Sequence, residues 1–527
     1  MRSSRFALVA LAVVALAVVF VSVGAAGDDG DNVLLGNKRT IVLAERAHGG
    51  GHKGVPSEFN CTTPADGAGS TIDCDGPNPN NEPHIAVDPA NPGHMIASSN
   101  DYDSCCDQYY TTFDGGSTWS TGDMSTEANF PIGSDPVTSF DRRHGLALHA
   151  SLNYFLSDDG SEACNGDVVV SPSRDGGLTW APPTVAYHGF GCDLDPTQVF
   201  NDKEWIVTDN NPHSRFYGRT YVTWTRFLAH DGETVDAPIW STWSDDGGRK
   251  WARAQEISGS SRRLCGGRCS DDQFSSPVVG PDGTVYVAFE NGQNTSLDSA
   301  GEEEQGQYLL VSSRDGGDDW SDPQFITAFE DGSRDYPLNA DGRQTLSGYQ
   351  IRLSTPGNLA VSPRDGKLWV TWADNRNGVH DSDHPRTNND VFVMSSSNGG
   401  RSWSDPSLVD NGHGDQWFPW LDVNPVTGKI GIIYNDRGNR NGDTYTVSLV
   451  QGLPGAFTKT TLSKAPSDPV HSAFFQAETP GCEMCALFHG DYISLAYGSD
   501  GRANGVWTDM STPTPDGFAQ FIGYARR

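Results

Sequence analysis

Basic residues are scarce: Lys and Arg total 36 against 68 Asp and Glu in 527 residues, a formal net charge of −32 at pH 7. A field of that sign repels phosphate backbones and anionic lipid, which argues against nucleic-acid and acidic-membrane partners. It also keeps a chain soluble in saline surroundings, where salt screens the self-repulsion. Long apolar runs are absent beyond the first 26 residues, so no span is expected in a mature chain. Also missing are the histidine motif of a zinc hydrolase and the Gly-x-Ser-x-Gly nucleophile elbow, which leaves any chemistry to other residues.

The N-terminus has Arg2 and Arg5, an apolar run from Phe6 to Val23, and then the small residues Gly24, Ala25 and Ala26. This pattern predicts a secretory signal peptide over residues 1–26 and a secreted, extracellular protein. Ten cysteines suit an oxidising compartment, with Cys61–Cys74, Cys164–Cys192 and Cys265–Cys269 as the expected local pairs. Cys482 and Cys485 read as a structural disulfide rather than half of a zinc site or a redox pair. The adjacent Cys105 and Cys106 are expected to bond to separate partners.

What is abundant is glycine, 60 residues, and ten of them lie in five near-copies of one turn. The copies are Thr112-Phe-Asp-Gly-Gly-Ser-Thr-Trp119, Ser173-Arg-Asp-Gly-Gly-Leu-Thr-Trp180, Ser244-Asp-Asp-Gly-Gly-Arg-Lys-Trp251, Ser313-Arg-Asp-Gly-Gly-Asp-Asp-Trp320 and Ser396-Ser-Asn-Gly-Gly-Arg-Ser-Trp403. In each, an Asp or Asn side chain can accept backbone amides, the glycines can enter left-handed space, and the Trp can cover the hairpin. In every copy but the second the preceding stretch alternates like a strand, so the unit is strand, tight turn, strand. Successive turns are 61, 71, 69 and 83 residues apart. A four-stranded sheet with connections fills about 40–50 residues, so each period also carries an insertion.

Seven polar or acidic openings lead into apolar strands: Asn81–Val87, Asp135–Phe140, Asn201–Val207, Asp272–Val279, Tyr349–Leu353 running on to Leu359–Val361, Asp415–Leu421 and Gly490–Leu495. These predict an all-β propeller of seven blades, or six if two openings share one sheet. Residues 81–527 would form the single propeller domain. Residues 27–80 would be an extended arm whose strand at Asn32–Leu35 or Thr40–Leu43 completes the last blade, removing an exposed edge. The openings nominate Glu82, Asp135, Asp202, Lys203, Glu204, Asp272, Arg352, Asp415, Asp491 and Tyr492 as channel-facing. Singly, each would hydrate the channel or cap an amide; together they offer carboxylate pairs for acid–base work or an oxygen-rich metal site.

The five turns resemble the Asp-box, or BNR, repeats of the sialidase superfamily, over about residues 80–527. The stretch Gly490-Asp-Tyr-Ile-Ser-Leu-Ala-Tyr-Gly-Ser-Asp-Gly-Arg-Ala-Asn-Gly-Val-Trp507 is similar to the part of a sialidase that carries its tyrosine nucleophile. The resemblance implies a secreted glycoside hydrolase acting on an extracellular glycan or glycoprotein, without a required cofactor. It places Tyr492 as nucleophile, Glu204 as its base, Asp272 or Asp135 as acid/base and Arg352 as a clamp on a substrate anion. A phenol avoids the repulsion that a carboxylate nucleophile would meet beside an acidic sugar. The Asp-Gly-Gly turns themselves are expected to have no catalytic role. The chain departs from the family in carrying Asn81-Glu82-Pro83 where an Arg-Ile-Pro motif would precede the first turn. A non-catalytic glycan- or protein-binding propeller and a polysaccharide lyase are the alternatives.

Glu82, Lys203, Asp491 and Trp417 complete the expected substrate-binding set. Alternation puts Phe418 and Trp420 on one side of their strand and Trp417 on the other, with at least one ring free to stack on a sugar. The acidic insertion from Asp374 through Asp381 and Asp383 to Asp390 suggests a structural calcium ion, although the same composition serves a solvated loop. A monomer is expected.

Overall fold

In the strand Val285–Asn291, Val285, Val287 and Phe289 pack toward one neighbouring sheet while Tyr286 and Ala288 pack toward the next. This period of two makes a blade apolar on both faces. Full burial of each such side chain contributes about 1.5–3 kcal/mol, so neighbouring blades hold one another by the residues that form their strands. The same arrangement joins the fifth and sixth blades through Trp369, Val391, Ile430 and Ile432, and the last and first through Val506, Ile522, Ile85 and Trp119.

The computed structural model describes residues 61–62, 70–74 and 79–527 apart from short internal stretches, the longest being 294–305 and 474–487. The predicted leader, both proposed arm strands, Cys482, Cys485 and the side chains of Cys105 and Cys106 lie outside the described residues.

Seven sheets form a ring, each built on four antiparallel strands ordered from the axis outward, and Glu233–Asp236 adds a short fifth strand to the third. The innermost strands are Asn80–Val87, Ile132–Asp141, Thr197–Thr208, Asp272–Val279, Leu359–Val361, Gln416–Val423 and Ser494–Tyr497. Each lies against the next around the axis, and the last meets the first. The fold is therefore the seven-bladed propeller rather than the six-bladed one. Tyr349–Leu353 precedes the fifth inner strand instead of belonging to it, with Arg352 bridged to Thr345.

Closure differs from expectation in its residues. Ser70–Thr71 supplies the outermost strand of the seventh blade, pairing Ser70 with Tyr524 and Thr71 with Gly523. Cys61–Thr62 adds a fifth strand to the first blade. Cys164–Cys192 and Cys265–Cys269 are the expected disulfides. Cys74 is also disulfide-bonded, its partner lying outside the described side chains.

Each Asp-Gly-Gly turn joins the third strand of a blade to the fourth, and the second copy, like the others, follows a strand, Ala163–Ser173. In the first turn Asp114 Oδ1 accepts the backbone amides of Ser117 and Thr118, both at 2.9 Å, and the Thr112 hydroxyl at 2.8 Å. Gly115 and Gly116 take φ of 77° and 87°, which a side chain would oppose. Inner strands start at one end of the axis and third strands finish at the other, so these turns lie opposite the inner-strand openings.

Candidate functional site

The inner strands share an irregularity. Pairing slips between Asn81 and His84, Ser134 and Val137, Asp202 and Trp205, Gln273 and Ser276, and Trp417 and Trp420. Within each slip one non-glycine residue is left-handed: Glu82, Asp135, Lys203, Phe274 and Phe418, with φ between 52° and 58°. Such a conformation costs on the order of 1–3 kcal/mol and persists only where the surroundings enforce it. Its recurrence in five blades brings Glu82, Asp135 and Lys203 together with Asp202, Glu204, Asp491 and Tyr492 at one end of the axis, all buried.

The contacts there are specific. Arg352 Nε donates to Asp491 Oδ1 at 2.8 Å and its Nη2 donates to Oδ2, while the guanidinium lies over the Phe488 ring at 4.4 Å. The Asp491 amide donates to Glu82 Oε1 at 3.0 Å, and Asn100 Nδ2 donates to Glu82 Oε2 at 3.1 Å. Asn100 Oδ1 in turn accepts the Asp135 amide at 2.8 Å. Lys203 Nζ stands 3.2 Å from the centre of the Tyr492 ring. Lys203 Nζ, the Tyr492 hydroxyl and both Glu204 carboxylate oxygens are buried without a hydrogen-bond partner. Orphaned polar atoms at this density are rare in a purely structural interior and mark where a ligand's groups would be satisfied.

Burial dominates the acid–base properties. It pushes Asp135 and Asp202 up to about 7, against the opposing charge of Lys203. It raises Glu82 well above the carboxylate range, helped by the charges of Asp135 and Asp491, and raises Glu204 likewise, helped by Asp135. The Tyr492 phenol is also driven up, first by burial and then by the charges of Glu82, Asp135 and Glu204. Carboxyls protonated near neutrality beside an ionised one are the ingredients of general acid–base catalysis.

Beneath this cluster Trp205 and Trp420, from the third and sixth blades, meet at 4.8 Å between ring centres, and Trp205 touches Tyr492 edge-on at 5.5 Å. Both tryptophans and His84 also line a cavity of about 310 Å³ walled by inner-strand residues of every blade.

Several nominated residues lie elsewhere. Asp272 accepts Asn291 Nδ2 at 2.6 Å and is pushed by burial to about 8, but the neighbouring charges that act on it are Asp271 and Glu256, so it stands apart from the Glu82 cluster. Asp415 is held by Arg437 at 3.2 Å and the Asn389 amide at 3.1 Å. Trp417 is not a free platform: it is fully buried, bonded to His489 and packed on Tyr349 and Tyr445. The bulge at Phe418 breaks the alternation assumed for that strand, and Trp420 reaches the axis instead. Arg352, expected to clamp a substrate anion, is engaged on both carboxylate oxygens of Asp491.

The proposed calcium ligands do not converge. Asp374 is paired with Arg376 and accepts Trp372 Nε1 at 3.0 Å, Asp390 accepts Asn377 and Asn388, and Asp381 and Asp383 are exposed. An ion pair and amide donors already supply what calcium would. A different trio, Glu330, Asp335 and His380, brings three potential ligand atoms within 4.8 Å of one another. That set could hold a metal ion, and nothing in it selects calcium.

Trp205, Asn100, Phe488 and His489 are site neighbours that sequence reasoning missed. Trp205 directly follows the nominated Glu204, whereas Asn100 lies next to the end of the second strand, Met95–Asp101, with no local signal.

No family model matches the chain, and no curated protein does. Among solved structures, NanB sialidase of Streptococcus pneumoniae is 10% identical over 82% of this chain and 83% of its own, with a TM-score of 0.43. A Hadza microbial sialidase is 15% identical, with coverage of 82% and 73% and a TM-score of 0.42. An α-L-arabinofuranosidase of Fusarium graminearum is 12% identical, with coverage of 70% and 92% and a TM-score of 0.44. Likeness at this level says nothing about substrate. No helix among the described residues is long and apolar enough to cross a membrane.

Proposed function

We propose that the axial cluster is the active site of a secreted glycoside hydrolase acting on extracellular glycans. The observation that carries this reading is the burial, at one end of the axis, of a phenol and a carboxyl whose polar atoms are all unpartnered, Tyr492 and Glu204. In the proposed reaction the Tyr492 oxygen attacks the anomeric carbon and its proton passes to Glu204 in its ionised form, which burial makes a stronger base than an exposed carboxylate. The glycosidic bond breaks as Asp135 protonates the departing oxygen. Water then attacks the glycosyl-enzyme, giving a proton to Asp135, and the phenol recovers its own from Glu204. Lys203, seated on the Tyr492 ring, stabilises the charge that develops on the phenolic oxygen. Asp135 rather than Asp272 takes the acid role, because only Asp135 acts electrostatically on Tyr492.

The burial of the whole cluster favours a second reading, a propeller that binds a glycan or protein without cleaving it. Digestion of a glycan library, read by mass spectrometry and by ultraviolet absorbance, separates the cases. Hydrolysed products lost in Tyr492→Phe support the proposal. Binding without products selects the second reading, and unsaturated products indicate a lyase. Full glycan cleavage by Tyr492→Phe removes the assignment.

A further inference from the structure

On the far side of the tryptophan pair the axis is open. The cavity of about 310 Å³ begins at Trp205 and Trp420 and runs along the inner strands to Asn210 and the exposed Pro89, both past the strand ends on the side of the repeated turns. It is therefore reached from the face opposite the axial cluster. A cavity of about 150 Å³ admits one benzene ring, so this one has room for a six-membered ring with its hydroxyl groups.

Two kinds of surface make the wall. Apolar side chains come from every blade, Phe140, Ile206, Leu359 and Leu495 among them. Between them run the free edges of the inner strands, each of which is hydrogen-bonded within its sheet on one side only. Such an edge presents amides and carbonyls. A ring with apolar C–H faces and a rim of hydroxyls matches both kinds.

His84 adds a directed donor. The residue is only 9% exposed, and its ring lies edge-on to Trp205 at 5.1 Å. Its Nδ1 accepts the Thr138 amide at 3.1 Å, and burial, helped by the charges of Lys203 and His149, pushes its pKa down to about 3. A neutral ring whose Nδ1 accepts carries its proton on Nε2. That N–H has no hydrogen-bond partner among the described residues, on a ring that lines the cavity. A buried donor left open in this way is satisfied by a ligand or by water.

We propose that the turn-side half of the channel is a second binding site, distinct from the axial cluster, for one hydroxylated six-membered ring, a monosaccharide or a cyclitol, with one of its oxygens accepting from His84 Nε2. Trp205 and Trp420 stand between the two sites. The second site stands whether or not the axial cluster cleaves a glycan.

The test titrates the full chain, its histidine rings labelled with nitrogen-15, with glucose, galactose and myo-inositol in the millimolar range. Ring signals of His84 are assigned by their loss in His84→Gln. Nδ1 should resonate as an acceptor nitrogen, and at least one of the three compounds should shift the Nε2–H signal saturably. His84→Phe should weaken that compound about tenfold through the lost hydrogen bond, while Glu204→Gln, in the axial cluster, should leave its affinity unchanged. No saturable shift with any of the three means that water alone fills the channel and overturns the proposal. A proton found on Nδ1 overturns it as well. Binding weakened by Glu204→Gln and not by His84→Phe would put the ring in the axial cluster, with the same consequence. Should His84→Phe not fold, the His84 signals of the unsubstituted protein and of Glu204→Gln decide by themselves.

Discussion

The ammonium of Lys203 lies 3.2 Å from the centre of the Tyr492 ring, and neither that nitrogen nor the Tyr492 hydroxyl has a hydrogen-bond partner. On the proposed function, stability there comes from the ring and chemistry from the hydroxyl, which makes the two separable. Tyr492→Phe keeps the cation–π contact and removes a buried unsatisfied group, so unfolding free energy should stay level or rise by about 1 kcal/mol while glycan turnover falls at least about 100-fold. Tyr492→Ala should lose about 3–5 kcal/mol through the cavity it leaves. Urea denaturation beside activity assays reads both effects. A Phe variant destabilised as much as the Ala variant would refute the separation.

Arg352 and Asp491 form the best-paired ions of the site, each less than a tenth exposed. Removing one leaves a buried charge without its partner, so Arg352→Met or Asp491→Leu should each cost about 3–5 kcal/mol. The double variant should be less destabilised than the two single losses added together. Strict additivity in chemical denaturation would show that the pair does not behave as a buried ion pair.

Asp135 and Asp202 link this site to the pH dependence of stability. Their folded-state pKa values, about 7, lie above the ordinary 3.8, so the folded state binds protons that the unfolded state has released. Their stabilising contribution is full below about pH 4 and is lost as pH rises through 7. The turn carboxylates Asp114, Asp175 and Asp246 are depressed by hydrogen bonds from their own turns, and their contribution fades as pH falls below 3.8. Melting temperature should therefore be highest in mild acid and decline toward pH 8. Asp202→Asn should flatten the decline, and an unchanged slope would contradict the shift assigned to Asp202.

The repeated turns should matter for folding alone. Asp175 Oδ1 accepts the Ser173 hydroxyl at 2.8 Å and the Thr179 amide at 2.9 Å, at the end of the blade away from the axial cluster. Asp175→Ala should cost about 1–2 kcal/mol with kcat/KM unchanged. A selective loss of activity in a fully folded variant would reassign the turn.

Local chemistry explains how much was readable beforehand. The turns announced themselves because the Asp–Gly–Gly–Trp spacing satisfies its own backbone, and the inner strands because polar openings precede apolar alternation. The bulges at Glu82 and Lys203 left only a polar cluster as a trace, since a left-handed backbone at a non-glycine residue has no sequence signature. The same blindness misplaced Trp417 and overlooked Trp205, whose orientations follow from the slipped register. The commitment of Arg352 to Asp491 joins residues 139 positions apart, beyond the reach of any local pattern. Acidic density alone reveals neither that Asp374 already faces Arg376 nor that Glu330, Asp335 and His380 are the side chains that come together as a possible metal set.

Closure of the ring by Ser70–Thr71 gives the last prediction. That strand covers Phe521–Arg526, and Ile72 just beyond it is fully buried against the first and seventh blades. A chain beginning at residue 79 would keep the other three strands of the seventh blade but leave Phe521–Arg526 as an open edge, with its amides and carbonyls free to pair with another molecule. Losing Ile72 should cost a further 2 kcal/mol or so. The truncated protein should melt lower than the full chain and, at equal concentration, show a rise in light scattering at temperatures where the full chain remains clear. Ile72 N donates to Ile522 O at 2.9 Å, so by antiparallel alternation Ser70, paired with Tyr524, is the other donor of the closing strand. Replacing Ser70 with Pro in the full-length chain removes it and should shift both readouts in the same direction by a smaller amount. Scattering and melting that match the full chain in both variants would mean that the ring is closed by side-chain packing alone.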